Sequence, residues 1–128
     1  MARSWLSPFW INWADLNDDD PDPRLQPVDL QMPPEEAVTW VAEVLKSQPR
    51  WQILSIDPVA GTIHAVHITI LWRFRDDVQI RFERRWANCR MYAHSQARLG
   101  KADFGKNAEN LRELTDVVRQ AWIKKRES

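Results

Sequence analysis

An α+β fold is predicted for this chain: an antiparallel four-stranded meander with one helix before it and one after it, both packed on a single face. Three observations carry that prediction. Four strand-like runs, Trp51–Ile56, Thr62–Phe74, Val78–Arg84 and Cys89–Gln96, follow one another with links of only a few residues, and short links imply antiparallel neighbours. Apolar residues recur at helical spacing on both sides of those runs. The strands alternate apolar and polar residues, the signature of a sheet with one face covered.

The first helix is expected to begin at Pro34, a residue suited to the first helical turn, with Glu35 and Glu36 where the helix dipole favours negative charge. Ala37, Val38, Val41, Val44 and Leu45 mark its apolar face, and Gln48-Pro49 ends it. In the second strand Val66, Ile68, Ile70, Trp72 and Phe74 are assigned to the covered face, with His67, Thr69 and Arg73 opposite. In the third, Val78, Ile80 and Phe82 oppose Gln79, Arg81 and Glu83. In the fourth, Cys89, Met91 and Ala93 oppose Arg90, Tyr92, His94 and Gln96. Arg75-Asp76-Asp77 is read as a hairpin turn, and Arg85 to Asn88 as the next link. The last helix is expected from Asn107, acting as its cap, to about Lys125, with Leu111, Leu114, Val118, Ala121 and Trp122 on one stripe. A fifth, short edge strand near Val28–Leu30 completes the expected order.

Residues 1–27 read as an arm, rich in tryptophan and then in aspartate and proline, with little regular structure; residues 28–128 read as a single domain. A chain of 128 residues buries roughly 65% of its unfolded surface, enough for a core without metal or disulfide support. Cys89 is the single cysteine and is expected to be a small core residue. No signal peptide and no run of eighteen or so apolar residues is present, so the expected location is the cytoplasm and the chain is not expected to be an integral membrane protein. Peripheral contact with a membrane remains open through the arm.

The net charge of zero hides a division. Residues 1–64 hold four Lys/Arg against ten Asp/Glu, and residues 65–128 hold fourteen against eight. Attraction between an acidic first half and a basic second half accounts for this without a partner. Nucleic acid is not an expected partner, because carboxylates interrupt every basic stripe.

The stretch from His94 to Asn107 crowds two glycines, three cations, a carboxylate and an amide between a strand and a helix. Arg98, Lys101 and Lys106, with Arg81, Tyr92 and His94 on the polar sheet face, are the candidate ligand-binding residues; together they could hold a phosphate or carboxylate. In the alternative reading, Arg98 pairs with Asp76 or Asp77, while Asp103 and Asn107 cap turns. No catalytic residue is assigned. Ser95 and His94, adjacent in a strand, fall on opposite faces and cannot form a Ser–His nucleophile. His64 and His67 likewise diverge, and no metal ligand or cofactor is expected. Asp15-x-Asn17-x-Asp19 has calcium-loop spacing but lacks the required glycine and terminal glutamate. An enzyme would have to use His94 as base with Arg81 and Arg98 converging on an anionic substrate. The third class is an interaction protein, self-associating or binding a partner through Trp5, Trp10 and Trp13.

Two blocks, Arg73 to Arg81 and Ser95 to Asn107, resemble the signatures of the domain of unknown function 1499 family. Phe74, Asp76, Asp77, Ser95, Arg98, Gly100, Asp103, Gly105 and Asn107 occupy the signature positions. His94, Ala97 and Asn110 depart from the pattern, standing where arginine, serine and a second arginine are usual, and the departures weaken an anion-binding role. The resemblance implies a bacterial or plastid-related origin and no established activity. The expectation is therefore a small binding or accessory domain for an anionic ligand at the polar sheet face and the loop 98–107.

Overall fold

The strands pair by adjacency, and that pairing sets everything else. The structure, a computed structural model, describes residues 13–69, 74–98 and 105–128. Among the described residues the order is β1 (Trp13–Asp15), a 3-10 turn (Pro23–Leu25), β2 (Val28–Leu30), α1 (Pro34–Lys46), β3 (Trp51–Asp57), β4 (Thr62–Thr69), β5 (Phe74–Arg85), β6 (Asn88–Ala97) and α2 (Lys106–Glu127). The fold is α+β as expected, and the antiparallel sheet has six strands: the four of the meander, the short edge strand expected at Val28–Leu30, and β1. β3, β4, β5 and β6 form the meander. β1 and β2 then lie end to end along β6, β1 against Ser95 and its neighbours, β2 against Met91 and Arg90.

The segment read as an arm with little regular structure contributes Trp13–Asp15 to the sheet. Leu16 and Leu25 are buried in the core. Asp22 caps the 3-10 turn by accepting from the Arg24 amide. The prolines there limit the regular structure to three-residue pieces, which is why periodicity could not reveal them.

Both helices cover the same side. α1 starts at Pro34 and stops at Ser47, whose hydroxyl donates to the Val44 carbonyl. It buries Ala37, Val38, Val41, Ala42 and Leu45, worth about 1.5–3 kcal/mol for each large side chain. α2 adds Leu111, Leu114 and Val118, and Trp40 of α1 meets Trp122 of α2 edge to face, ring centres 5.8 Å apart.

Register corrects the assignment of faces in β4. Ile63 lies opposite Ile80, Ala65 opposite Val78 and His67 opposite Asp76, so the odd residues of β4 face the helices. The sequence reading placed Val66 and Ile68 there and His67 on the open face. Apolar residues occur at 63, 65, 66 and 68, so both phases fit the pattern and the partner strand decides. Val66 is buried on the opposite face from Ile63. Asp76 and Asp77 are not a hairpin turn; they sit inside β5, paired with Ala97 and Gln96. The expected β4 residues 70–73 lie outside the described residues, as do Gly100, Lys101 and Asp103.

Two other turns are tight. Trp86 and Ala87 alone join β5 to β6, with Trp86 at φ 59°, and Gly61, at φ 72°, closes the turn between β3 and β4. No helix among the described residues is long and apolar enough to cross a membrane.

Candidate functional site

One end of the covered layer is polar. His67 of β4, Asp76 of β5 and Ser95 of β6 point from the sheet toward α2, and Asn107 and Asn110 of α2 point back; all five are buried. The Ser95 hydroxyl donates to Asn107 Oδ1 at 2.6 Å. The Asn110 amide donates to Asp76 Oδ2 at 2.7 Å and to Ser95 Oγ at 3.2 Å. A buried carboxylate is tolerable only when its lone pairs are met, and Asn110 meets Asp76 here. Asn107 is consequently no helix cap: α2 begins one residue earlier, at Lys106, and Gly105 holds the cap position with φ 86°.

Beside this network the polar chain continues outward. Lys106 donates to Asn110 Oδ1 and lies 3.3 Å from His67 Nδ1. His67 Nε2 is 3.2 Å from Glu113 Oε2, which also accepts from the Trp51 indole at 2.7 Å. A carboxylate can only accept, so Nε2 carries a proton; an ammonium can only donate, so Nδ1 presents its lone pair. The Trp51 ring stands edge-on to His67 at 4.9 Å and fixes its plane. Arg50 completes the end of the chain, 3.6 Å from Glu113.

Electrostatics follow from this placement. Burial pushes the Lys106 ammonium below its ordinary pKa, against the pull of Asp76 and Glu113. Burial alone would raise Glu113, but the His67 and Trp51 donors and Arg50 hold it below the usual carboxylate range. Three cations, Arg24, Arg50 and Lys106, and three carboxylates, Glu109, Glu113 and Asp116, line a cleft of about 390 Å3 together with His67, Asn110 and Val117. Lys106, Asn110 and Glu113 fall at i, i+4 and i+7 on α2, one face of the helix.

The open sheet face holds the other candidates. Arg81 lies 4.2 Å over the Tyr92 ring and bridges Glu83 at 2.7 Å. His94 Nδ1 is 2.5 Å from Asp15, and Trp13 stacks on its ring. Arg81, Tyr92 and His94 line one cleft of about 430 Å3 together with Asp15 and Asp18. Arg98 is not among its lining residues; it bridges Asp77 at 3.0 Å, and that bridge is the chief cause of the lowered Asp77 pKa. The His94, Arg81 and Arg98 convergence that an enzyme of the expected kind would need is absent. Phe74, at the start of β5, is exposed. Trp5 and Trp10 lie outside the described residues.

Of the signature residues, Asp76, Ser95 and Asn107 thus form the buried network, whereas Asp77 and Arg98 pair on the open face. The family model described as Protein of unknown function (DUF1499) matches residues 4–118. The chain belongs to the DUF1499 family. No curated protein and no solved structure matches it. Within this DUF1499 domain Lys106 was legible from sequence as a candidate, whereas His67, Asn110, Glu113 and Arg50 were not. The available signal was in α2, where Asn107 and Asn110 extend the stripe of Leu111 and Leu114 toward the helix start: a buried stripe that turns polar at one end needs polar partners in the sheet.

Proposed function

We propose that this DUF1499 domain binds a small anionic molecule, a carboxylate or a phosphate, in the cleft between α2 and the β3–β4 side of the sheet, at the end of the loop 98–107. One observation carries the reading. The half-buried Lys106 ammonium is hydrogen-bonded to neutral acceptors and, among the described residues, forms no salt bridge. Arg81, Arg98 and His94 each have a carboxylate in contact. Burial disfavours the Lys106 charge more than Asp76, Glu113 and Glu109, none of them in direct contact with it, favour it, and an incoming anion that does make contact offsets the cost. Arg24 and Arg50 at the rim are themselves bridged to Asp116 and Glu113, so Lys106 is the cation of this cleft that an anion would meet without displacing a direct carboxylate partner.

The test is a thermal-shift titration with inorganic phosphate and with succinate at constant ionic strength, chloride serving as the reference. A ligand at ten times its Kd stabilises by about 1.4 kcal/mol. The shift should vanish in Lys106→Met and persist in Arg81→Gln. Equal melting curves for wild type in all three anions would overturn the reading.

A further inference from the structure

Lys106 ends a line of three titratable groups drawn from two elements: Glu113 of α2, His67 of β4, then the amine itself, with contacts of 3.2 and 3.3 Å. We infer that Lys106 is a nucleophilic amine and that the anion taken by the cleft carries a carbonyl group, as a small 2-oxo acid or an aldehyde carboxylate does, and is held as an imine. This rests on the anion-binding reading above and adds the chemistry of the same site.

The geometry supplies each requirement. The amine lies on the wall of a cleft of about 390 Å3, within the range of small-molecule sites. His67 presents Nδ1 to the Lys106 nitrogen and is 2% exposed, so its orientation is held by Trp51 on one side and Glu113 on the other. That is a nucleophile, a base and an orienting carboxylate in order. Arg50, exposed at the rim and 3.6 Å from Glu113, would have to exchange that contact for the carboxylate of the ligand. The groups facing Lys106 are His67 from β4, Asp76 from β5, Glu109, Asn110 and Glu113 from α2, and Arg50 from the turn before β3. Burial favours the neutral amine, Asp76, Glu113 and Glu109 the charged one. A purely structural cation would be set against a carboxylate, as Arg24, Arg84, Arg90 and Arg112 are.

The step balances without an outside oxidant or reductant. The Lys106 ammonium first gives one proton to His67 Nδ1; the freed lone pair attacks the carbonyl carbon, and a second nitrogen proton moves to the carbonyl oxygen, giving a neutral carbinolamine. Its hydroxyl then leaves as water with the proton returned by His67, and the nitrogen, keeping its last proton, forms the protonated C=N bond, so that ammonium and carbonyl become iminium and water.

The experiment is reductive trapping: the full chain is incubated with glyoxylate or pyruvate and sodium cyanoborohydride, and adducts are located by peptide mass mapping. The chain has five lysines, at 46, 101, 106, 124 and 125. Lys106 should be labelled at least tenfold faster than Lys124 or Lys125, and His67→Gln should slow labelling at Lys106 alone; Glu113→Gln is the second variant if the first does not fold. Adducts spread evenly over the lysines, with the phosphate shift intact, would overturn the imine and leave the anion reading standing. Selective labelling at Lys106 without any phosphate shift would support the amine and overturn the anion reading.

Discussion

Asn110 ties two strands to one helix with a single amide. Its donors reach Asp76 and Ser95, and its oxygen receives Lys106. Asn110→Ala strands the buried Asp76 carboxylate and should cost about 2–3 kcal/mol, measured as a lower urea midpoint with an unchanged slope; a loss under 0.5 kcal/mol, the order of a surface change, would contradict the network. Cys89 behaves in the opposite way, as a group that burial keeps neutral. Burial pushes its thiol from 9.0 up to about 11, so it should not react with a disulfide reagent at pH 8 until the protein unfolds. The sign of the pH effect follows. Between those two values the unfolded chain has released a proton that the folded chain retains, so the Cys89 contribution lowers stability as pH rises from about 9 to about 11. Comparing alkaline unfolding of wild type with Cys89→Ala isolates it. Asp77 is held down chiefly by Arg98, so its contribution is present above the ordinary carboxylate pKa and is lost as acid protonates it. At this scale the sequence singled out Arg98 and Lys106 by their charge and Ser95 by the family resemblance. His67 stayed hidden, because a histidine reads equally well on either face of a strand.

Elements were more legible than residues, and the exceptions have physical causes. α1 is marked by a proline start, acidic first turn and apolar stripe, all of which act locally. β1 is three residues long, too short for a period of two to register, whereas the equally short β2 was legible at Val28–Leu30; both pair with the edge that β6 offers. The faces of β4 depend on Ile80 and Val78 of another strand, information no window on β4 contains. The turn at Gly61 makes a sharper claim than the start of α2. A Cβ at Gly61 would stand 3.2 Å from the Phe82 carbonyl oxygen in addition to the φ of 72°, whereas one at Gly105 meets nothing within 4 Å. Gly105→Ala should therefore cost about 1 kcal/mol from backbone strain alone, and Gly61→Ala distinctly more, because the Phe82 amide also donates to the Gly61 carbonyl and resists the shift. Paired thermal denaturation curves decide the order; equal costs would mean the close approach is relieved freely.

Across the whole molecule the opposed charges of the two halves meet each other. Asp15 contacts His94, Asp22 Arg112, Asp29 and Asp18 Arg90, and Glu35 Arg84. These pairs are largely exposed and so are screened by salt. Raising sodium chloride from 0.05 to 1 M should lower the melting temperature of wild type and lower that of an Arg84→Gln, Arg112→Gln double variant less; identical shifts would show that the pairs contribute nothing. The composition disclosed the division of charge, but which residue met which required the topology. That topology joins distant parts of the chain: Thr115 of α2 donates to the carbonyl of Arg24 at 2.8 Å, and Arg24 bridges Asp116. The Asp76 carboxylate is met by Asn110, and Leu111, Leu114 and Val118 complete the core beside α1, only when α2 docks. Because α2 follows every strand in the sequence, half of the cover of the sheet depends on contacts between distant parts of the chain, which form slowly, so closure of the polar network belongs to the late part of folding.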